Sequence, residues 1–229
     1  MPKVFVSPCG TSLLTNSTEE SIRKLLNDTA NYQESELTVE QKQIIDRHCS
    51  LRYQQIMASE MSEARKLSAE LNGIITYCNG KPIKSDQHII LATDTYLGRK
   101  TARFVVEWLN KQGYNALDKV VTKLSTKDVE SFRDAMSELV LWCAEELRQQ
   151  YPEPVWNIVF NLTGGFKSVN GFLQTLAMFY AHESVYIFEK GGNLIKIPRL
   201  PIQLDTKDLI GKHLLTFRRL AVLKQELPV

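Results

Sequence analysis

The stretch Val155-Trp156-Asn157-Ile158-Val159-Phe160-Asn161-Leu162-Thr163-Gly164-Gly165-Phe166-Lys167-Ser168 joins a buried-strand pattern to a glycine turn, and an apolar helical stretch follows. Two glycines let backbone N–H groups approach an anion without a Cβ in the way. The positive end of the following helix points to the same place, and Lys167 adds a mobile positive charge. This stretch therefore predicts a phosphate-binding loop at the end of a strand.

Predicted strands and helices alternate along the rest of the chain. Further buried-strand patterns cover residues 3–7, 88–93, 117–121 and 184–188. Helical patterns cover about residues 38–71, 95–112, 126–150, 167–182 and 207–224. The third of these helices is expected to begin at Ser125 or Thr126, and Gly191-Gly192-Asn193 predicts a hairpin into a last strand at residues 194–197.

Repeated strand-then-helix units predict an α/β fold, a Rossmann-like three-layer domain with a mainly parallel central sheet. Residues 1–203 would form this domain, which includes a C-terminal hairpin and a helical insertion at about residues 38–72. Residues 204–229 would form a C-terminal helical tail. The strand at residues 88–93 shows no polar alternation, so we expect it to be covered on both faces.

Composition narrows the class of protein. The chain has 229 residues, 43% of them hydrophobic, which suits one sizeable folded domain. Lys and Arg number 28 against 26 Asp and Glu, so a small phosphorylated ligand fits better than a long nucleic acid. The apolar runs all end before the roughly 18 residues that a membrane-spanning helix needs, so no membrane partner is expected.

Cysteines and histidines occur singly and far apart. The absence of a Cys-x-x-Cys pair and of a signal segment favours a reducing compartment, the cytoplasm. No zinc site, other metal or cofactor is expected from residues so dispersed. The residues concerned are Cys9, Cys49, Cys78, Cys143, His48, His88, His182 and His213.

The sequence does not match the familiar motifs of nucleotide-binding proteins or of serine hydrolases. The glycine stretch lacks the spacing of a P-loop, and no Gly-x-Gly-x-x-Gly fingerprint occurs in the chain. Ser12 does not lie in a Gly-x-Ser-x-Gly elbow. An ATPase, a dehydrogenase and an acyl-transfer triad are therefore not indicated.

Three short polar loops follow predicted strands, where ligands of open α/β sheets bind. The candidate ligand-binding residues are Gly10, Thr11, Thr93, Asp94, Thr95, Asn161, Thr163, Gly164, Gly165, Phe166 and Ser168, and Ser12 and Lys167 lie in the same loops. A lysine at the positive end of a helix is electrostatically misplaced unless an anion is present, which is the reason to select Lys167.

Several candidates also have purely structural explanations. Ser12 could cap the following helix, and capping is the favoured role for Asp94 and Thr95. Asn161 could contact a ligand or tie two loops together. Three basic side chains on the helix after residue 95 could reach phosphates, although charged helical faces are usually only solvated. They are Arg99, Lys100 and Arg103.

Four strings, in order and spacing, resemble a known family. They are Gly10-Thr11-Ser12-Leu13-Leu14, Ala92-Thr93-Asp94-Thr95, Asn161-Leu162-Thr163-Gly164-Gly165-Phe166-Lys167 and Tyr186-Ile187-Phe188-Glu189, followed by Leu200-Pro201. Together, over about residues 1–203, they resemble a CARF domain, the CRISPR-associated Rossmann fold, and in particular the stand-alone CRISPR ring nucleases.

This resemblance implies a homodimer that binds a cyclic oligoadenylate, most commonly cyclic tetra-adenylate, across its two-fold axis. In ring nucleases the ribose 2′-OH attacks its adjacent phosphate without a metal and leaves linear di-adenylate with 2′,3′-cyclic phosphate ends. The serine and lysine that matter most in those enzymes correspond to Ser12 and Lys167. Removal of the messenger switches off type III CRISPR signalling.

Two other functions remain open at this point: a non-catalytic CARF sensor that regulates an effector, and a CARF regulator of transcription. Only 26 residues follow residue 203, fewer than an effector domain needs. No histidine follows an arginine at the spacing that HEPN ribonucleases use. Phe217-Arg218-Arg219 is too brief a basic patch for a DNA-reading helix. The ring nuclease is the preferred prediction.

Overall fold

The computed structural model describes residues 1–124, 128–188, 192–202, 207, 211–215 and 218. It divides into two compact units, Met1–Arg199 and Leu200–Val229. The predicted tail helix at residues 207–224 lies largely outside the described residues, as do residues 125–127 and residues 189–191 of the predicted hairpin turn. Among the described helices, none has both the length and the hydropathy needed to cross a bilayer.

One six-stranded sheet forms the centre of the first unit. Its strands are β1 (Lys3–Pro8), β2 (Gln87–Thr93), β3 (Ala116–Val121), β4 (Asn157–Asn161), β5 (Glu183–Ile187) and β6 (Leu194–Pro198). They lie in the order β3-β2-β1-β4-β5-β6. All neighbours pair in parallel except β5 and β6, which are antiparallel. The predicted α/β class, the mainly parallel sheet and the final hairpin are confirmed.

Helices cover both faces of this sheet. They are α1 (Ser12–Thr15), α2 (Glu20–Asp28), α3 (Val39–Ala58), α4 (Met61–Leu67), α5 (Ala69–Tyr77), α6 (Tyr96–Lys111), α7 (Val129–Leu141), α8 (Arg148–Gln150) and α9 (Lys167–Tyr180). A 3₁₀ turn spans Glu34–Glu36, and a π-helical turn, Trp142–Leu147, joins α7 to α8.

Side chains of the strands alternate between two hydrophobic cores. In β2, Ile89 and Leu91 pack with the α7 and α9 side, whereas Ile90 and Ala92 pack with α5 and α6. Every residue of β2 is buried, because helices cover it on both faces. This explains the absence of polar alternation in its sequence and confirms the predicted three layers.

The prediction of one helix over residues 38–71 is wrong, because two serines interrupt it. Ser59, in extended conformation, ends α3, and Ser68 separates α4 from α5. The Ser68 hydroxyl accepts a hydrogen bond from the N–H of Leu71 at 3.3 Å, which makes it the N-cap of α5. Serine favours such caps because its side chain competes locally for backbone groups.

The predicted start of the helix at residues 126–150 is also wrong. Asp128 is the N-cap of α7, and its carboxylate accepts a hydrogen bond from the N–H of Ser131 at 2.7 Å. A carboxylate satisfies an otherwise unpaired first-turn N–H and interacts favourably with the positive helix end. The helical path then continues through the π turn to Gln150.

Candidate functional site

The loops after β1 and β4 meet at the point where the strand order reverses. Strands β1 and β4 are parallel neighbours, with Val6 opposite Phe160. Crossovers from such neighbours leave toward opposite faces of the sheet and open a crevice beyond the carboxyl ends of the strands. A Cβ built on Gly10 would lie 3.3 Å from the Cα of Gly165, so the two loops are in contact.

The glycine loop needs its glycines for two different reasons. Gly165 has a φ of 88°, a left-handed conformation that side chains with a Cβ adopt rarely. A Cβ built on Gly164 would lie 2.4 Å from the Cδ of Glu70, so this position has no room for a side chain. The second finding identifies a residue that the sequence did not single out.

The carboxylate of Glu70 lies between the two loops and is completely buried. Its Oε1 accepts hydrogen bonds from the N–H of Gly10 at 2.8 Å and of Gly165 at 3.2 Å. Its Oε2 accepts from the hydroxyls of Ser12 at 2.8 Å and of Ser68 at 2.7 Å. The N–H of Gly165, predicted to face a phosphate, thus donates to an anion of the same chain.

Ser12 is the first residue of α1, and its side chain does not cap that helix. Thr11 occupies the N-cap position, without a side-chain capping bond. The Ser12 hydroxyl donates to Glu70 and accepts from the N–H of Ala69 at 3.0 Å. Two bonds therefore fix the Oγ of a side chain that keeps some exposed surface.

Lys167 begins α9 and is exposed, as is its neighbour Ser168. The N-cap of this helix, Phe166, makes no side-chain capping bond. The first N–H groups of a helix have no acceptor within the helix, so they are free to bind an anion here. No ion pair joins Lys167 to another residue that the structure describes.

A cavity of about 570 Å³ opens beside the glycine loop, between α9 and the β5–β6 hairpin. Lys167, Thr163 and Asn170 are among its lining residues; Ser12 is not. The hydroxyl oxygen of Thr163 and the Oδ1 of Asn170 are buried without a hydrogen-bond partner among the described residues. Buried polar atoms are usually paired, so these two atoms are exceptions, and both belong to residues that line the cavity beside Lys167.

Asn170 holds the glycine loop in place. Its Nδ2 donates to the carbonyl of Gly164 at 2.7 Å and to that of Leu162 at 3.2 Å. Asn161 ties deeper layers together and has no exposed surface. Its Nδ2 donates to the hydroxyl of Ser7 at 3.2 Å and to the carbonyl of Glu70 at 3.1 Å. In this structure the side chain of Asn161 performs the loop-tying role.

The third predicted loop, Thr93-Asp94-Thr95, leads into α6 and provides the N-cap of this helix. The Thr95 hydroxyl caps this helix by accepting from the N–H of Gly98 at 3.1 Å, and it pairs with the Thr93 hydroxyl at 3.0 Å. Both threonines are buried. Asp94 pairs with Arg99 at 2.6 Å and accepts from the N–H of Lys123 at 3.0 Å. Burial alone would raise the pKa of Asp94, but these two donors lower it.

Comparison of the chain with known protein families found a match to one of them. The model of the family described as "CRISPR-associated protein (Cas_APE2256)" matches residues 65–200. The chain belongs to this family. The matched segment carries Glu70, the loop after β2 and the whole glycine loop, whereas the Ser12 loop precedes it. A search of curated proteins found no match to the chain.

Within this CRISPR-associated chain, the three basic residues considered as secondary phosphate contacts are each paired to a carboxylate. Besides the Arg99 pair with Asp94, Lys100 contacts Asp46 at 2.6 Å and Arg103 contacts Glu107 at 2.7 Å. Burial would raise the pKa of Asp46, yet hydrogen bonds from Lys100, Tyr96 and Lys42 lower it to about 2. Lys167 differs from these three cations in having no such partner among the described residues.

Sequence reasoning missed Glu70 and Asn170. Glu70 is the single charge in the otherwise uncharged segment 67–75, an available signal of a buried and paired carboxylate. Asn170 offered no comparable signal, because asparagine in a first helical turn is commonly exposed. Among the described residues, no group of three or more His, Cys, Asp or Glu side chains is placed to hold a metal ion.

Proposed function

We propose that this protein is a CRISPR ring nuclease. It binds a cyclic oligoadenylate, with cyclic tetra-adenylate as the expected ring, in a cytoplasmic homodimer and cleaves it to linear di-adenylate with 2′,3′-cyclic phosphate ends. Cleavage removes the messenger of type III CRISPR signalling. Membership in a CRISPR-associated family and the Rossmann-like fold support the proposal. Its main support is the contact between the Ser12 loop and the Lys167 loop at the switch point of the sheet.

The proposed reaction mainly requires that the protein hold the reacting atoms of the substrate in the right geometry. The ribose 2′-OH is already part of the substrate, so the site must place its oxygen, the phosphorus and the leaving oxygen in line. Such positioning can supply several kcal/mol of barrier reduction. Lys167, which forms an ion pair with no other described residue, can stabilise negative charge that grows on the phosphate, together with the N–H groups of the first turn of α9. The Gly165 N–H, bonded to Glu70, stabilises the loop instead.

The reaction itself is tested with the purified protein, cyclic tetra-adenylate and cyclic hexa-adenylate in buffer containing EDTA. We expect one of the rings to disappear and linear di- or tri-adenylate with a 2′,3′-cyclic phosphate to form, as resolved by chromatography and mass spectrometry. Tight binding of intact rings would instead identify a sensor. Linear RNA in a parallel reaction tests for an effector, since an effector would degrade it after ring binding.

Replacement of Lys167 by alanine tests the lysine. We expect Lys167→Ala to slow single-turnover cleavage by about 10²–10³-fold, the usual cost of removing one donor to transition-state charge, with the ring still bound. The matched control is Lys24→Ala, which removes the same charge from an exposed position on α2 and leaves cleavage unchanged. Equal rates for Lys167→Ala and wild type would remove Lys167 from the mechanism.

A further inference from the structure

The hydrogen bonds around Glu70 have fixed directions. The N–H groups of Gly10 and Gly165 can only donate, so Oε1 accepts twice. The hydroxyls of Ser12 and Ser68 each accept from a backbone N–H, of Ala69 and Leu71 respectively, and donate their own hydrogen to Oε2. All four neighbours thus present hydrogens to the carboxylate, which suits its ionised form.

This arrangement leaves Ser12 with one chemical capability. Its only hydrogen points to Glu70, and one of its two lone pairs is taken by the N–H of Ala69. The remaining lone pair can accept a hydrogen bond, but Ser12 has no hydrogen left to give to a phosphate oxygen. Of the two ligand groups that Ser12 could orient, the 2′-OH and the scissile phosphate, the bonding favours the 2′-OH, which is a donor.

We propose that Glu70 is a positioning residue that turns Ser12 into an acceptor for the substrate 2′-OH and receives its proton through the Ser12 oxygen. The inference rests on the proposed function. A general base contributes typically 10²–10⁴-fold to a rate, and a carboxylate held by a hydroxyl in this way can act without touching the substrate. The same carboxylate holds the two loops in contact, so positioning and proton transfer use one group.

The proposed step balances. The 2′ oxygen forms a bond to phosphorus as its proton moves to the Ser12 oxygen, while the original hydroxyl hydrogen of Ser12 moves to Oε2 of Glu70. The bond from phosphorus to the 5′ oxygen breaks, and the 5′ oxygen takes a proton from a water molecule. The hydroxide that remains takes a proton from the Ser12 oxygen, which recovers the proton held by Glu70, and this restores the carboxylate.

If Glu70 only held the two loops together, a side chain that cannot take up a proton could replace it. Glutamine has the shape of glutamate, and its amide oxygen can still accept from Gly10 and Gly165. Its amide nitrogen would face Ser12 as a donor, however, so the Ser12 hydrogen would be released from its bond and no proton could be taken up. Glu70→Gln therefore keeps the loop contacts and reverses the hydrogen-bond direction at Ser12.

The experiment compares Glu70→Gln with wild type in ring binding, by calorimetry, and in single-turnover cleavage of cyclic tetra-adenylate in EDTA. We expect the dissociation constant to stay within about threefold and the cleavage rate to fall by about 100-fold or more. Glu183→Gln is the matched control, because Glu183 also accepts a hydroxyl hydrogen, from Tyr77, but lies at the opposite end of the sheet. This control should cleave at the wild-type rate.

A second variant, Ser12→Ala, keeps the test decisive if Glu70→Gln does not fold. It removes the oxygen that would accept the 2′-OH, so it should bind the ring and cleave slowly. Where Glu70→Gln does fold, adding it to Ser12→Ala should lower the cleavage rate no further. Cleavage by Ser12→Ala or Glu70→Gln within about tenfold of wild type overturns the inference alone. Intact rings with wild-type protein overturn the proposed function and the inference together.

Discussion

At the scale of single residues, the chain contains an anion of its own in the place where an anion was predicted. The Glu70 carboxylate accepts a hydrogen bond from the N–H of Gly165, which leaves the uncapped start of α9 and Lys167 as the proposed phosphate contacts. Cys9, next to the same carboxylate, is buried, and burial together with the charge of Glu70 raises the pKa of its thiol. Cys9 is consequently an inert core residue.

His88 is a second buried residue with an unusual environment. Its ring stacks on Phe5 at 4.7 Å between centroids and meets the Tyr114 ring edge-on at 5.2 Å. Neither ring nitrogen has a hydrogen-bond partner among the described residues. Burial lowers the pKa of His88 to about 3, which keeps the imidazole neutral in the folded state.

This histidine makes stability depend on pH. Between about pH 6.5 and pH 3 the unfolded chain binds a proton that the folded chain does not, so the folded state loses about 1.4 kcal/mol per pH unit as the pH falls. We predict that His88→Phe removes this contribution. In urea unfolding, the stability of the variant relative to wild type should rise by about 2 kcal/mol from about pH 7.5 to pH 5. An unchanged difference would contradict a neutral His88.

At the scale of elements, α5 and the glycine loop must approach closely for Glu70 to reach its partners. Gly164→Ala tests this approach, because the added Cβ would overlap the Cδ of Glu70 at 2.4 Å. We expect a loss of about 1–3 kcal/mol in unfolding free energy, typical of overpacking, together with weaker ring binding.

The control for this substitution is Gly171→Ala, in the interior of α9. A Cβ there meets nothing within 4 Å, so alanine should raise helix stability by about 0.5–1 kcal/mol. Thermal unfolding of both variants separates the two effects. Equal changes in melting temperature for Gly164→Ala and Gly171→Ala would show that α5 does not pack tightly against the glycine loop.

Some of these elements could be predicted from the sequence, whereas the contacts between them could not. The strand 157–161, the glycine turn and the helix from Lys167 follow from local pattern, and the structure confirms them. The two backbone partners of Glu70, Gly10 and Gly165, do not, since they lie 60 and 95 residues away from it and meet only through the order of the sheet. The break of the helical insertion at Ser59 likewise depends on packing, because serine occurs in helices as well as at their ends.

At the scale of the whole molecule, acidic residues nearly balance the basic ones, with 26 Asp and Glu in the chain. The chain carries 28 Lys and Arg, yet the basic residues near the start of α6 are already paired to Asp94, Asp46 and Glu107. Attraction to long nucleic acids would need many free charges. A small ring carries few phosphates, and Lys167 and the N-terminus of α9 are the contacts proposed for them.

The symmetry of such a ring leads to the last prediction. A cyclic oligoadenylate has two equal halves, each chain presents one Ser12 and one Lys167, and closed two-fold dimers are the commonest assemblies. We predict one ring bound per two chains in calorimetric titration, and the mass of two chains by light scattering with or without ring. Lys167→Ala should weaken affinity but keep the ratio, because it changes the contact and not the assembly. One ring per chain, on a particle with the mass of a single chain, would rule out a ring shared between two subunits.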